Sequence, residues 1–365
     1  MNHTIIETEE VLVSIEKIWK TFYSSLKDKT VFQTFEWNYL WWKHSYSYNK
    51  LFVLILYPQS IEEPAAICPL MLDQKKTLRF IADTHSDYSD FLIGPEDNTT
   101  LYEICKTIHD IIEQSDEVDS IELKNLNQSS KYLGIFCSRF DYKQILYQTN
   151  ASSYTSFVGS ENVLDAFSYL KAKKRNQIKR LYKKNENLHG VYHTVDTSPF
   201  PAETLKEILT DMKKSGLRGD DFLDETLLGI ITKLYEAGHL MIQEIKDDKT
   251  SLVMNFILKD DREKRFLLWI TIYRNRPKIN ILSYFILIKK LSMEHIGSRF
   301  VLDFGRGLYE YKIVNFLPEI NLQFTFYYSK NGIAYVRYLL KQFIILSIKP
   351  FYKKHKKTIN RILHR

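Results

Sequence analysis

Between residues 299 and 316 the chain reads RFVLDFGRGLYEYKIVNF. An apolar strand there delivers Asp303, Gly305, Arg306 and Gly307 to its carboxyl end, and a short helix follows with Tyr311 and Lys312 near its start. Ligands of open α/β sheets bind outside such strand ends. The glycines permit positive φ and close backbone approach, and a guanidinium between them can grip an anion bidentately. The next helix start also favours negative charge. Asp303 is a candidate general base, or the group that orients Arg306 or Lys312, and Lys312 is a candidate electrostatic stabiliser. An ordinary strand-to-helix turn closed by an Asp–Arg ion pair accounts for the same residues, and residue types leave both readings open.

Three further stretches carry chemistry-bearing side chains. DTHSDYSD, residues 83–90, offers Asp83, Asp87 and Asp90, any of which serves as a base if its surroundings raise its pKa; loop carboxylates also cap helices or face solvent. KAKKRNQIKRLYKK holds eight Lys/Arg from Lys171 to Lys184, spread around a helix, either a solvated surface or a phosphate-binding one. FQTFEWNYLWWKH, residues 32–44, places Trp37, Trp41 and Trp42 at helical spacing, which reads as core packing with a sugar-stacking platform as the alternative. The three cysteines, Cys68, Cys105 and Cys137, are far apart and show no metal-ligand spacing, so no zinc site is expected and a reducing compartment fits.

The elements that position these residues repeat in order. Helical periodicity covers 9–27 and 35–44; strands follow near 51–57, 65–72 and 78–82, then a helix near 101–114, a strand near 120–126, a short helix and a strand near 145–147. A strand near 154–158, a basic helix at 161–187 and a strand at 190–195 come next. From residue 202 the order α-α-β-β-β-α-β-α-β returns, with helices near 202–215, 222–237, 280–296 and 309–316. No residue-level repeat accompanies it, so two copies of one mixed α/β unit are expected, residues 1–150 and 151–330, joined through Gln148–Ser153 as a linker.

Four of these stretches, in this order, resemble the CelD/BcsL-type acetyltransferases of the GNAT superfamily. They are the FQTFEW…W helix, the DYSD element, the basic helix (shared with the Fem aminoacyltransferases of peptidoglycan synthesis) and DFGRG…YEYK. The resemblance spans about residues 30–325. It implies a tandem GNAT-like fold and transfer of an acyl group, acetyl foremost, from acyl-CoA to an amine or hydroxyl of a sugar-, nucleotide-sugar- or lipid-linked acceptor in exopolysaccharide or cell-envelope synthesis. No metal is implied. It places Asp303, Tyr311 and Lys312 at the reaction, and Arg306, Arg175, Asp87 and Trp37 against substrate. It places Asn280, Ile281, Leu282 and Ser283 at the helix start that receives the coenzyme A diphosphate. Asn280–Leu282 stands where the family often has Ser-Pro-Gly, with Asn280 as the expected N-cap and Arg274, Arg276 and Lys278 adding positive charge. A Fem-like aminoacyltransferase using aminoacyl-tRNA and a non-catalytic scaffold are the alternatives; tRNA is the less favoured partner, because the body is not basic.

The net charge of +7 is unevenly placed. From Gly332 to Arg365 there are nine Lys/Arg and no Asp/Glu, which leaves the rest near −2. The segment begins with an apolar helix interrupted by Arg337 and Lys341, which Pro350 ends before a second basic helix. Peripheral contact of residues 333–365 with an anionic membrane and docking of the first helix on the body are both compatible with it. The N-terminus MNHTIIETEE is too acidic for a signal peptide and no apolar run spans a bilayer, so a cytoplasmic protein is expected.

Overall fold

The structure is a computed structural model that describes residues 1–27, 29–58, 63–94, 98–130, 133–139, 143–260, 264–274 and 278–345. It is a mixed α/β fold built on an eleven-stranded sheet and a four-stranded one. The large sheet runs from His189–His193 through Leu240–Lys246, Ser251–Asp260, Arg265–Tyr273, Arg299–Arg306, Gln144–Val158, Glu319–Ser329, Ser120–Asn127, Thr77–Phe80 and Leu70–Leu72 to Lys50–Leu51. The small sheet holds Asn2–Ile6, Val53–Tyr57, Ala66–Cys68 and Leu92–Ile93.

The repeat expected from element order reappears in the pairing. Among the named strands only two neighbouring pairs are parallel: Thr77–Phe80 with Ser120–Asn127, and Arg265–Tyr273 with Arg299–Arg306. Each parallel step is bridged by a long helix, Asn98–Gln114 in the first half and Ile279–Glu294 in the second. Parallel strands need such a crossover, whereas antiparallel ones close with short turns.

Gln148–Ser153, expected as a linker, lies inside one unbroken strand, Gln144–Val158. Its end from Tyr154 to Val158 pairs with Asp303–Arg299, and its first part pairs with Glu319–Tyr328. The final strand, Glu319–Ser329, inserts between Gln144–Val158 and Ser120–Asn127. The chain therefore returns to the first half to complete its sheet. Residues 148–153 look like a linker because Gln, Thr, Asn and Ser dominate them; a neighbour on each side satisfies their backbone and overrides that composition.

Packing ties the halves together as well. One apolar cluster joins Trp19, Trp37 and Trp41 to Ile208, Ile230, Leu234 and Phe256. A second surrounds Ile104 and Ile108 and includes Phe326 from the last strand. A third gathers Phe285 and Ile288 under Phe157, Phe300 and Phe316.

Three local expectations change. The helix at 9–27 is two, Glu9–Ser14 and Glu16–Ser25, because Ser14 Oγ donates to the Val11 carbonyl at 2.7 Å and Ile15 leaves helical geometry. The break turns Val11 to solvent, 44 % exposed, and buries Leu12 instead. The basic helix is shorter than expected, Ala172–Lys184, with a 3-10 turn at Asp165–Phe167 before it. Asn2–Ile6, which carries too few apolar residues to read as a strand, pairs antiparallel with Val53–Tyr57.

Phe326 is fully buried in the returning strand. We expect Phe326→Ala to cost about 3–5 kcal/mol and to lower the midpoint of a single unfolding transition, read by circular dichroism and by tryptophan fluorescence. Separate transitions by the two probes would show that the halves unfold independently.

Candidate functional site

The residues of DFGRG…YK and of DYSD, more than two hundred positions apart in sequence, meet in one buried knot. Asp303 is fully buried and each of its oxygens is occupied. Tyr88 donates its hydroxyl to both, at 2.8 and 2.7 Å; Arg265 donates Nε and Nη2 to Oδ2 at 3.0 and 2.6 Å; the Gly305 N–H reaches Oδ1 at 2.8 Å. Burial works against the Arg265 guanidinium, yet the Asp303 carboxylate raises its pKa further above the usual value. Burial, reinforced by Asp303, pushes the Tyr88 phenol well up, so it stays a donor.

Asp87 supplies the second ion pair. Its carboxylate accepts from Arg306 Nε at 2.8 Å and from the Arg306 backbone N–H at 3.2 Å. Arg306 Nη2 also donates to the Thr84 carbonyl at 2.9 Å. The anion that Arg306 holds, through Nε and its backbone N–H, is thus the protein's own. Burial raises the Asp87 pKa against the pull of Arg306. Gly305 makes the approach possible: its φ is +65°, and a Cβ there would lie 2.1 Å from Asp87 Oδ2.

Lys312 closes the knot from the helix Glu310–Phe316. It is 2 % exposed, and its ammonium donates to the carbonyls of Phe304 at 2.5 Å, Arg306 at 3.0 Å and Gly307 at 2.9 Å. Burial lowers its pKa to about 8, with Asp87 and Asp303 opposing, so it is still an ammonium at neutral pH. Every donor of Lys312 is spent on the backbone of the turn that carries Arg306.

Trp37 is fully buried, with its indole N–H on Ser86 Oγ at 2.9 Å and its ring among Phe32, Trp41 and Trp269. It buttresses the Asp83–Asp90 loop from beneath and offers no face to a sugar. The structure thus brings together Asp303, Arg306, Lys312, Asp87 and Trp37. Tyr311 stands on the other side of the same helix, and Arg175 is elsewhere.

Beside the knot the two parallel strands part. Arg265–Tyr273 and Arg299–Arg306 pair only at Arg265↔Val301, Phe266↔Leu302 and Leu267↔Asp303, although both continue. The edge from Leu268 to Tyr273 is left without a ladder partner on that side among the described residues. Tyrosines occupy this gap. Tyr284 bonds Thr271 Oγ1 at 3.0 Å, and Tyr311 hydrogen-bonds Tyr284. Tyr309 stacks on Tyr311 with ring centroids 6.1 Å apart and is 60 % exposed, so the wall opens to solvent. Burial and the neighbouring Tyr284 push the half-buried Tyr311 phenol far above its usual value.

A buried polar ladder fixes this wall from behind. Thr271 donates to Asn255 Oδ1 at 2.8 Å; Asn255 Nδ2 donates to Gln243 Oε1 at 2.7 Å and Ser283 Oγ at 2.8 Å; Gln243 Nε2 donates to Tyr192 Oη at 3.1 Å. Gln243, Asn255 and Thr271 are aligned across three neighbouring strands. Asn255 and Thr271 each stand alone in an apolar run, and Gln243 sits before Glu244 in the next strand; the in-phase polar position is the sequence signal that would have found them.

The expected diphosphate site lies at the start of Ile279–Glu294. The helix begins before Asn280: Lys278 is its N-cap, in left-handed geometry and without a side-chain cap bond. The first-turn N–H groups therefore have no partner within the helix or from its cap. Asn280 and Ile281 are half-buried; Leu282 and Ser283 are buried, and Ser283 belongs to the ladder. Lys174, from the basic helix, reaches Asn315 Oδ1 at 2.7 Å, while Asn315 Nδ2 holds the Tyr311 carbonyl at 2.6 Å. Burial, then repulsion by Lys278, lowers the Lys174 pKa, so the two cations share one neighbourhood. Arg274 turns away to Asp211 and the Ser251 carbonyl, and Arg276 lies outside the described residues. Arg175 donates Nη1 to the carbonyls of Ser168 at 3.1 Å and Leu170 at 2.6 Å, pinning the loop before its helix. No group of three or more His, Cys, Asp or Glu among the described residues could hold a metal ion.

Comparison with known proteins identifies the fold. FemX superimposes with a TM-score of 0.60 at 11 % identity, over 92 % of this chain and 99 % of that one. L-PGS from Bacillus licheniformis gives 0.55 at 12 % identity, over 93 % and 97 %. A conserved protein of unknown function from Bacteroides thetaiotaomicron gives 0.56 at 11 %, over 90 % and 100 %. No family model matches the sequence. No curated protein matches it either. The fold is the tandem GNAT-like one expected from the sequence.

The knot makes two stability predictions, both measured by urea unfolding. Gly305→Ala adds a Cβ against Asp87 at positive φ and should cost more than about 2 kcal/mol. Lys312→Met strands the turn carbonyls and should cost roughly 2–4 kcal/mol. A Lys312→Met protein as stable as the parent would remove the lysine from this structural role.

Proposed function

We propose that the protein is an acyltransferase that works at the gap between Arg265–Tyr273 and Arg299–Arg306. The gap is the observation that carries the reading: two parallel strands stop pairing after three residues and a tyrosine-lined wall opens beside a helix start flanked by Lys174 and Lys278. An acyl carrier lying in the gap can hydrogen-bond the free strand edge. Its phosphates meet the N–H groups of Ile279–Ile281 and the two lysines, donors that suit a diphosphate. The carrier we favour is acyl-CoA, with an amine or hydroxyl on a sugar-linked acceptor, as the CelD/BcsL resemblance implies.

In the transfer the acceptor nitrogen or oxygen bonds to the acyl carbon, the carbon–sulfur bond of the thioester breaks, the acceptor loses a proton and the leaving thiolate gains one. Negative charge develops on the carbonyl oxygen and on the leaving sulfur. Tyr311, protonated at neutral pH and hydrogen-bonded to Tyr284, can turn its hydroxyl from that phenol to meet either charge. Asp303, Arg265, Asp87, Arg306 and Lys312 then act as positioning residues. They fix the turn that carries the helix of Tyr311, and their lone pairs and N–H groups are already used.

Aminoacyl-tRNA is the second carrier to test, because six cations of the basic region, Lys171, Lys173, Lys179, Arg180, Lys183 and Lys184, remain exposed beside Lys174 in sequence. The likeness to FemX and L-PGS supports the fold that both readings need.

Thermal-shift titration with acetyl-CoA and longer acyl-CoAs, beside filter binding of aminoacyl-tRNA at low salt, separates the carriers. We expect acyl-CoA to raise the melting temperature and Lys174→Ala/Lys278→Ala to weaken it by about tenfold. Tyr311→Phe should lower kcat by about 10²-fold with an unchanged melting temperature. Silence in both binding assays would favour a scaffold and end the enzymatic reading.

A further inference from the structure

The helix Gly332–Phe343 is turned inside out for a surface helix. Its Asn331 N-cap accepts from the N–H groups of Ile333 and Ala334. Its inner face is held by tyrosines. Tyr338 stacks flat on Tyr327 and donates to Glu122 Oε1 at 2.9 Å, and Tyr335 donates to the Gln144 carbonyl at 3.0 Å. The first helix of the tail thus docks on the body, as one of the two sequence readings held. The opposite face is the apolar one. Ile333, Val336, Leu340, Phe343 and Ile344 recur at steps of three, four, three and one, and are 66, 52, 58, 59 and 45 % exposed. A helix that only covers a sheet buries its apolar stripe and shows polar residues to water. This one does both jobs with opposite faces, and its outward stripe is a contiguous apolar patch that calls for a partner.

The charges beside the stripe say which partner. Arg337 and Lys341 are exposed on its border. Residues 346–365, outside the described region, add seven more Lys/Arg and no Asp/Glu, while the rest of the chain carries about −2 of the net +7. A second copy of this chain would bring the same positive charge to the interface and repel. A surface of fixed negative charge over an apolar interior matches both features. No described helix is long and apolar enough to cross a membrane, so the stripe would lie in the interface plane.

We propose that the Ile333–Ile344 face is a docking surface for an anionic lipid bilayer. The apolar stripe enters the headgroup boundary, and Arg337 and Lys341 on its border lie among the lipid phosphates. The proposal does not depend on the acyltransferase reading.

Co-sedimentation of the full chain with vesicles tests it. Phosphatidylcholine vesicles containing phosphatidylglycerol should pull the protein down, and pure phosphatidylcholine should not. Val336→Glu/Leu340→Glu, at exposed positions, should weaken partition by about tenfold or more without moving the melting temperature. Arg337→Glu/Lys341→Glu should weaken it by a smaller factor and flatten its salt dependence. No sedimentation on anionic vesicles, equal sedimentation on neutral ones, or binding undiminished in the stripe variant would each overturn the proposal. So would a concentration-dependent dimer, abolished by the stripe variant, in protein that ignores vesicles; that result would assign the face to a second copy.

Discussion

The fully buried carboxylate of Asp303 is the constraint on which the rest of the arrangement depends. A charge with no water must be paired or neutralised, and here an arginine, a phenol and a backbone N–H pair it at once. Those partners come from three separate segments. Tyr88 is on a loop of the first half, Arg265 on a strand of the second, and Gly305 near the end of the strand of Asp303 itself. Satisfying one carboxylate therefore fixes how the halves meet. Asp87–Arg306 repeats the device a few ångströms on, and Lys312 freezes the turn between them.

Rigidity here shapes the gap between the parallel strands. The gap exists because Arg299–Arg306 stops pairing with Arg265–Tyr273 after Asp303 while its other edge stays paired with Gln144–Val158 as far as Arg306↔Ser152. The knot sits at the point of divergence. It holds the strands together on one side of Asp303, and the tyrosine wall opens on the other. The polar ladder from Tyr192 to Thr271 supplies the same service from beneath, since side chains without water keep the hydrogen bonds they have. Groups that look reactive in the sequence thus become the frame, and the group left at the opening is a phenol.

Much of the fold was legible. Apolar periodicity located most helices and strands, and with them the repeated order of elements, because both are local properties of the chain. The exchange of the last strand was not legible: nothing in LQFTFYY says which half it completes, and pairing choice is a tertiary matter. The Gln148–Ser153 strand failed for the same reason. At the site, the resemblance singled out Asp303, Arg306, Lys312, Asp87 and Trp37 among its reaction and substrate residues; the structure sets these five side by side, and residue types said nothing of direction. An Asp–Gly-Arg-Gly–Lys run reads identically whether its charges face a ligand or each other. The plain reading, an ion-paired turn, was half right: Arg306 is paired, to Asp87 instead of Asp303. Arg265 and Tyr88, the partners that decide the matter, lie far from the motif in sequence; Tyr88 stands inside the DYSD element, but nothing in the sequence pairs it with Asp303, and Arg265 carries no spacing that marks it.

The most direct test of this account is a double-mutant cycle on Asp87 and Arg306, reading the free energy of unfolding for the parent, Asp87→Asn, Arg306→Gln and the double variant. A joint between the halves predicts a coupling energy of about 1.5 kcal/mol or more, since either single variant breaks a partly buried ion pair and Arg306→Gln leaves the Asp87 carboxylate without its cation. Additivity within about 0.5 kcal/mol would mean that the two side chains do not hold the halves together, and the frame described here would fall with them.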